Sequence, residues 1–188
     1  MFLDIDDVLC LNAPYGGYDA ILVLRGRHPN PSRVYEKLFA ARPRRVLADV
    51  HGQMGGQIRY VISSTWREHF TREELLGVLS AGGLDFVAEA MLEDACWCTP
   101  LSGKEVTRAA DIANWLAQHH RGEAFLILDD KFSGRSLEDA LYDSNHPFAS
   151  RVVLCDEYVG LLAEHAAFMV NALRRPAVTD FSRQSVPG

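Results

Sequence analysis

FLDIDDVL at residues 2–9 is the stretch that decides the fold, because it sets three carboxylates into an otherwise apolar segment. Apolar residues on both sides predict a short buried strand that runs into a charged loop at its carboxyl end. Burying carboxylates is unfavourable unless they are paired, solvated or bound to a cation. We therefore expect Asp4 and Asp6 to mark a site where chemistry is done.

Three further apolar runs follow, and they alternate along the chain with segments of helical spacing. This alternation predicts the α/β class, with a Rossmann-like, doubly wound parallel sheet. The strands are expected at residues 58–63, 124–128 and 151–154, and the helices at about residues 67–79, 102–116 and 160–173.

The 188 residues suit a single domain, residues 1–188. Turn signals rich in Pro and Gly divide residues 12–57, which we interpret as a small cap-like insertion, with a strand expected at residues 20–24. The tail, residues 176–188, is expected to be loose.

Composition is ordinary for a globular protein, with 48% hydrophobic and 23% charged residues. The net charge of -6 offers no broad attraction for nucleic acid, whose binding depends largely on Lys and Arg. Neither a signal peptide nor an apolar run of about 18–20 residues is visible in the sequence. We expect a cytoplasmic protein without a membrane span.

Polar residues close the predicted strands, at the carboxyl ends where doubly wound sheets bind their ligands. Magnesium prefers oxygen ligands and commonly takes one or two carboxylates together with a substrate phosphate. The sequence therefore predicts a Mg²⁺ site built from the aspartates at these strand ends. The candidate ligands are Asp4, Asp6, Asp129 and Asp130.

Hydroxyls and a lysine complete the set of candidate residues. Ser63, Ser64 and Thr65 follow the second strand, and Lys104 stands near a helix start. A lysine and a hydroxyl donor would hold phosphate oxygens, and such fixed charges and donors are what phosphoryl transfer chiefly requires. The joint placement of these groups predicts phosphoryl-transfer chemistry.

These segments resemble the four motifs of the haloacid dehalogenase (HAD) superfamily of phosphatases and phosphotransferases. FLDIDDVL resembles the first motif, Val-Ile-Ser63 the second, Lys104 the third, and Leu-Ile-Leu-Asp129-Asp130 the fourth. The resemblance runs from residue 1 to about residue 173. It implies a magnesium-dependent phosphatase.

The resemblance also implies a role for each matching residue. Asp4 would be the nucleophile that forms an aspartyl-phosphate, and Asp6 the acid and base. Ser63 and Lys104 would hold the phosphoryl oxygens. Asp129 would bind magnesium, and Asp130 would support it directly or through water.

Some positions depart from the family pattern and leave alternatives open. Asp7 replaces the usual Gly after the second aspartate of the first motif. The phosphate-binding hydroxyl is equally Ser64 or Thr65. The cation of the third motif is alternatively Arg108, and Lys131 is a further candidate.

A closer resemblance is carried by the sequences ISSTWR at residues 62–67 and ADIANWL at residues 110–116 and by a Gly-Leu-Leu helix at residue 160. They are similar to the HAD domain of multifunctional RNA-repair proteins. This implies a phosphorylated substrate, either a small molecule such as a nucleotide or a nucleic-acid end. The alternatives are a phosphotransferase with an acceptor other than water, and a non-catalytic module that binds phosphate or magnesium.

Overall fold

The computed structural model describes residues 1–101, 103 and 106–176. Its sheet has four parallel strands in the spatial order β2-β1-β3-β4. The predicted α/β class with a parallel sheet is confirmed. The strands are β1 Phe2–Leu3, β2 Val61–Ile62, β3 Ile127–Asp130 and β4 Val152–Cys155.

Helices precede and follow the strands along the chain. The α-helices are α1 Gly17–Leu24, α2 Pro31–Leu38, α3 Ala41–Gln53, α4 Arg72–Ala81, α5 Asp85–Ala90, α6 Arg108–His119 and α7 His165–Arg174. Short 3₁₀ turns cover Thr65–Glu68, Asp94–Cys96 and Arg135–Leu141.

The two faces of the sheet are covered by different helices, because successive residues of a strand point to opposite faces. Phe2 belongs to the core cluster that contains Trp115 of α6. Leu3, the next residue, belongs to the larger cluster formed with residues of α2–α5 and α7. The sheet is therefore a buried central layer, and polar side chains are accessible only beyond its strand ends.

The strand expected at residues 20–24 is wrong, because this segment lies in α1. Asp19 accepts a hydrogen bond from the Gly16 backbone N–H at 2.9 Å, which fixes the first turn of the helix. Only Ala20 of this helix is fully buried. The apolar run therefore supplies one face of a helix that packs on α2.

The helix expected from residue 102 begins later, at Arg108. The Thr107 side chain accepts a hydrogen bond from the Ala110 N–H at 3.3 Å and caps this end. Because Thr107 is the cap, Arg108 becomes the first helical residue. Val106 lies outside the helix and is exposed.

The cap-like role of residues 12–57 stays a prediction. Its last helix, α3, buries Val46, Leu47 and Val50 in the same cluster as Leu3, so this part of the segment packs in the core. The tail after Pro176 lies outside the described residues. No helix in the described part of the chain is long and apolar enough to cross a membrane. The cytoplasmic location stays a prediction.

Candidate active site

Backbone hydrogen bonds extend the sheet beyond the strand ends and fix two of the predicted residues. The Asp4 N–H donates to the Leu128 carbonyl at 2.9 Å, and the Ser63 N–H donates to the Leu3 carbonyl at 2.9 Å. Both side chains therefore stand at the carboxyl edge of the sheet, next to the end of β3.

Three of the predicted aspartates converge at this edge. Asp4, Asp129 and Asp130, which we call the acid cluster, each offer a carboxylate oxygen within 4.8 Å of the others. Their exposed fractions are 2%, 0% and 2%. Buried carboxylates this close repel one another, so the cluster requires positive charge nearby.

Arg108 supplies part of that charge. Its Nη2 lies 3.4 Å from Asp4 Oδ1, and its Nε lies 3.2 Å from Asp129 Oδ2. Its Nη1 donates to the Ser63 carbonyl. The cap at Thr107 places Arg108 on the first turn of α6, which points its guanidinium at the acid cluster. Lys104, the first choice for this role, lies outside the described residues.

Burial raises the pKa of both aspartates that Arg108 contacts. Desolvation and the charge of Asp129 raise the pKa of Asp4 well above its usual value. Arg108 opposes this rise. Desolvation raises the pKa of Asp129 to about 7, opposed by Arg108 and assisted by Asp130. One arginine therefore leaves the acid cluster with an excess of negative charge when its members are ionised.

The acid cluster fits a magnesium ion. Asp4 Oδ2 is buried and accepts no hydrogen bond from the described residues, and Asp129 Oδ2 is buried with only the ion pair to Arg108 Nε. Buried carboxylate oxygens without donors are the ligands that a hard cation prefers. Asp130 differs, since its Oδ1 accepts from the N–H groups of Phe132 at 2.7 Å and Ser133 at 2.9 Å.

Asp6 is held apart from the acid cluster. The Trp66 indole Nε1–H donates to Asp6 Oδ2 at 2.9 Å, while Asp6 Oδ1 is buried and accepts no hydrogen bond from the part of the chain that the structure describes. Burial raises the pKa of Asp6, against the effect of the Trp66 hydrogen bond. A catalytic role for Asp6 stays a prediction, and so does its role as a magnesium ligand.

Asp7, which departs from the family pattern, has a structural contact. Its backbone lies in the left-handed region, at φ 52°, and its Oδ1 accepts from the Tyr158 N–H at 2.7 Å. Asp7 therefore joins the loop after β1 to the loop after β4. Its side chain is directed to that loop.

The three candidate hydroxyls have different surroundings. Ser63 Oγ lies 3.4 Å from Arg108 Nη1, beside the acid cluster. Ser64 Oγ is fully buried and accepts from the Trp66 N–H at 3.5 Å, so it caps the 3₁₀ turn. Thr65 is exposed. Phosphate binding by these residues stays a prediction, with Ser63 the one nearest to Arg108 and Asp4.

Lys131, a further candidate cation, is exposed and forms an ion pair with Asp156. The ion pair lies in the loops that follow β3 and β4 and therefore faces solvent. Because exposed pairs of this kind are weak, it neutralises Asp156 without serving the buried acid cluster.

A second buried arginine lies beside the first, and no role was predicted for it from the sequence. Arg67 donates to the Ser64 carbonyl at 2.6 Å and to Asp111 Oδ2 at 3.0 Å. Both side chains of this pair are 6% exposed. Arg67 and Asp111 occur in the two stretches that resemble the RNA-repair branch, but only the fold brings them together.

A cleft of about 590 Å³ opens next to the acid cluster. Its lining includes Arg67, Arg108 and Ser133, the last from the loop after β3.

A family model for the HAD domain in Swiss Army Knife RNA repair proteins matches residues 1–166. The chain belongs to this family. The suspected resemblance is thereby confirmed, and the match covers β1–β4 and all the site residues described above. Membership indicates HAD-type phosphatase or hydrolase chemistry in general, and HAD domains generally use Mg²⁺. No curated protein and no solved structure matches this HAD domain.

Proposed function

We propose that this HAD domain is a magnesium-dependent phosphatase that acts on a phosphomonoester through an aspartyl-phosphate. The observation that carries the proposal is the acid cluster, three buried carboxylates at the carboxyl edge of a parallel sheet with Arg108 against two of them. Such a set has no packing role, because burying like charges destabilises the fold.

The first half-reaction uses Asp4 as the nucleophile. A carboxylate oxygen of Asp4 forms a bond to phosphorus as the bond between phosphorus and the leaving oxygen breaks. Because burial raises the pKa of Asp4, positive charge is needed to keep it ionised, and Arg108 supplies part of it. Magnesium, when bound by the acid cluster, would supply the rest and would neutralise charge on the phosphoryl oxygens.

Asp6 would donate the proton that the leaving oxygen needs. Trp66 occupies Oδ2, so the proton is carried by Oδ1, the oxygen without a donor among the described residues. Burial raises the pKa of Asp6, which favours the protonated form that an acid requires. In the second half-reaction Asp6 takes a proton from water, the water oxygen bonds to phosphorus, and Asp4 is released as carboxylate.

The substrate is a phosphomonoester, and the family's occurrence in RNA repair proteins favours a nucleotide or a nucleic-acid end. The test is hydrolysis of an aryl phosphate with magnesium or with EDTA, comparing wild type with Asp4→Asn. Asp139→Asn is the matched control, since Asp139 is an exposed aspartate in the 3₁₀ turn Arg135–Leu141.

We expect magnesium-dependent turnover in the wild type and the control, and a fall of at least about 1,000-fold in Asp4→Asn, as is usual when a nucleophile is removed. Equal turnover in Asp4→Asn and Asp139→Asn would contradict the proposal. Addition of methanol would distinguish a phosphotransferase, which would form methyl phosphate in place of inorganic phosphate.

A further inference from the structure

Two aromatic side chains project into solvent beside the acid cluster. Phe132 is 79% exposed and Tyr158 is 71% exposed. Together they form what we call the aromatic rim. Exposed aromatic rings carry a large apolar surface. Tyr142 and Tyr18 are exposed to a similar extent, at 82% and 73%, so the position of the rim beside the site distinguishes it, and its exposure does not.

Backbone hydrogen bonds tie both residues to the candidate active site. The Phe132 N–H donates to Asp130, a member of the acid cluster, at 2.7 Å. The Tyr158 N–H donates at 2.7 Å to Asp7, the neighbour of Asp6. Each ring is therefore attached to a loop whose position is fixed by a carboxylate of the first or fourth motif.

The two loops also run side by side. Asp130 pairs with Cys155 at the end of the sheet, and the Lys131 N–H donates to the Cys155 carbonyl at 3.0 Å. The Lys131 ammonium forms an ion pair with Asp156. Phe132 and Tyr158 thus follow two segments that are held next to each other beyond β3 and β4.

Tyr158 has a backbone conformation that L-residues rarely adopt. Its φ of 60° is in the left-handed region, which is unfavourable for a residue with a bulky side chain. The hydrogen bond to Asp7 holds it there. A tyrosine kept exposed in a strained loop is better explained by contact with a ligand than by packing.

Charge identifies the kind of ligand. Asp7, Asp156 and the exposed Glu157 are acidic, and Lys131 is already paired with Asp156. These charges disfavour a run of phosphates along the rim. Exposed rings favour the uncharged, flat part of a substrate, and nucleobases stack on such rings regardless of sequence.

We propose that the aromatic rim stacks the nucleobase carried by the leaving group, so that the substrate is a nucleotide or the phosphorylated end of a nucleic-acid strand. This inference rests on the proposed function, and it adds a binding surface to the same site. The scissile phosphate would face Arg108 and Asp4 while the base lies over Phe132 or Tyr158.

The test compares kcat/KM for three substrates: a mononucleotide, a trinucleotide with a terminal phosphate, and glycerol phosphate, which has no ring. For Phe132→Ala and Tyr158→Ala we expect the ratio of nucleotide to glycerol phosphate activity to fall by about tenfold, within the range of about 5- to 150-fold that the loss of one stack usually causes. Phe132→Trp and Tyr158→Phe should keep the ratio. The control is Phe168→Ala, because Phe168 is a half-exposed phenylalanine on α7.

The two nucleotide substrates separate the possible sources of the base. A larger effect on the trinucleotide than on the mononucleotide indicates a strand end, with a base on each ring. Equal effects indicate a mononucleotide. A ratio unchanged by both alanine substitutions, or preference for a phosphopeptide over either nucleotide, would overturn the proposal.

A binding measurement separates failure of the rim from failure of the catalytic proposal. Asp4→Asn protein with magnesium would be titrated with an unphosphorylated trinucleotide and followed by NMR, which needs no turnover. We expect saturable binding that Phe132→Ala weakens about tenfold. If the Asp4→Asn protein does not bind the trinucleotide while the wild type hydrolyses glycerol phosphate normally, base stacking on the aromatic rim is refuted and the catalytic proposal is not. Binding without turnover of any phosphomonoester would refute the catalytic proposal alone.

Discussion

Arg67 and Arg108 lie side by side at the carboxyl edge of the sheet, and their surroundings differ. Each donates to the carbonyl of one of two consecutive residues, Arg67 to Ser64 and Arg108 to Ser63. Arg67 is balanced by one carboxylate, Asp111, whereas Arg108 faces both Asp4 and Asp129. One arginine is matched in charge, and the other is outnumbered.

This difference separates a structural ion pair from a functional one. The Arg67–Asp111 pair is matched in charge, although Arg67 Nε and Asp111 Oδ1 have no hydrogen-bond partner among the described residues, and it holds two elements together. At the acid cluster, burial and repulsion between carboxylates raise the pKa values of Asp4 and Asp129, and Arg108 only partly opposes this rise. That surplus of negative charge suits a site that binds a metal ion and a phosphate.

Removing Arg67 should have the largest effect on stability. Arg67→Met leaves Asp111 buried without its cation, and the free energy of unfolding should fall by about 3–5 kcal/mol. Urea denaturation measures this change. The double variant Arg67→Met with Asp111→Leu should recover much of the loss, because no charge is then left unpaired. If the free energy of unfolding of Arg67→Met falls by less than about 1 kcal/mol, Arg67 does not have the structural role assigned to it.

Removing Arg108 should lower the rate of phosphate hydrolysis. Arg108→Gln takes away the cation that contacts Asp4, and kcat/KM should fall by about 100–1,000-fold, as when one charge-stabilising donor is lost from an active site. Steady-state hydrolysis of an aryl phosphate with saturating magnesium measures it. If turnover falls less in Arg108→Gln than in a folded Arg67→Met protein, the two arginines have been assigned the wrong roles.

The surplus charge should also appear as a pH dependence of stability. The pKa of Asp129 is about 7 in the fold against 3.8 in the unfolded chain, so the folded state binds the extra proton between these values. In EDTA the free energy of unfolding should therefore decrease as the pH rises from about 4 to 7, by at least about 1.4 kcal/mol.

Asp129→Asn in EDTA is the matched comparison, and its decline should be shallower. Magnesium binds the ionised carboxylates, so it should stabilise the wild type at pH 8 and have a smaller effect on the variant. Thermal unfolding with and without magnesium measures both. If the free energy of unfolding depends on pH in the same way in wild type and Asp129→Asn, the excess negative charge does not lie in the acid cluster.

Trp66→Phe should give the smallest effect of the four. Phenylalanine keeps the ring against Phe70 but lacks the N–H that donates to Asp6. We expect kcat to fall by about tenfold, in line with the loss of one hydrogen bond to a charged group, with KM little changed. A rise in KM at constant kcat would instead indicate that Trp66 contacts the substrate.

Much of the fold follows from patterns along the chain. Apolar runs placed β2, β3 and β4 to within a few residues, and the carboxylates in FLDIDDVL identified the end of β1. The segment at residues 20–24 was misassigned because a short apolar run fits a strand and a helix equally well. The Gly16–Asp19 contact that decides for a helix is visible only in the structure.

The candidate site was predictable as a set of residue types but not as a set of contacts. Asp4, Asp129 and Asp130 were selected because each ends a strand, and strand ends of a parallel sheet meet at one edge. The contact between Arg108 and the acid cluster depends on where α6 begins, and the helix was expected to start at residue 102. Trp66 follows the candidate hydroxyls directly in the sequence, but its hydrogen bond to Asp6 spans 60 positions of the chain.

The sequence by itself determined the α/β class, the carboxylates and the family, because these depend on local periodicity and on residues adjacent in the chain. Only the tertiary structure decided which charges meet. It gave Arg67 one carboxylate and Arg108 two, and it placed Phe132 beside Asp130 and Tyr158 beside Asp7. The physical reason is that electrostatic balance depends on distance and burial, which are set by packing between segments far apart in sequence.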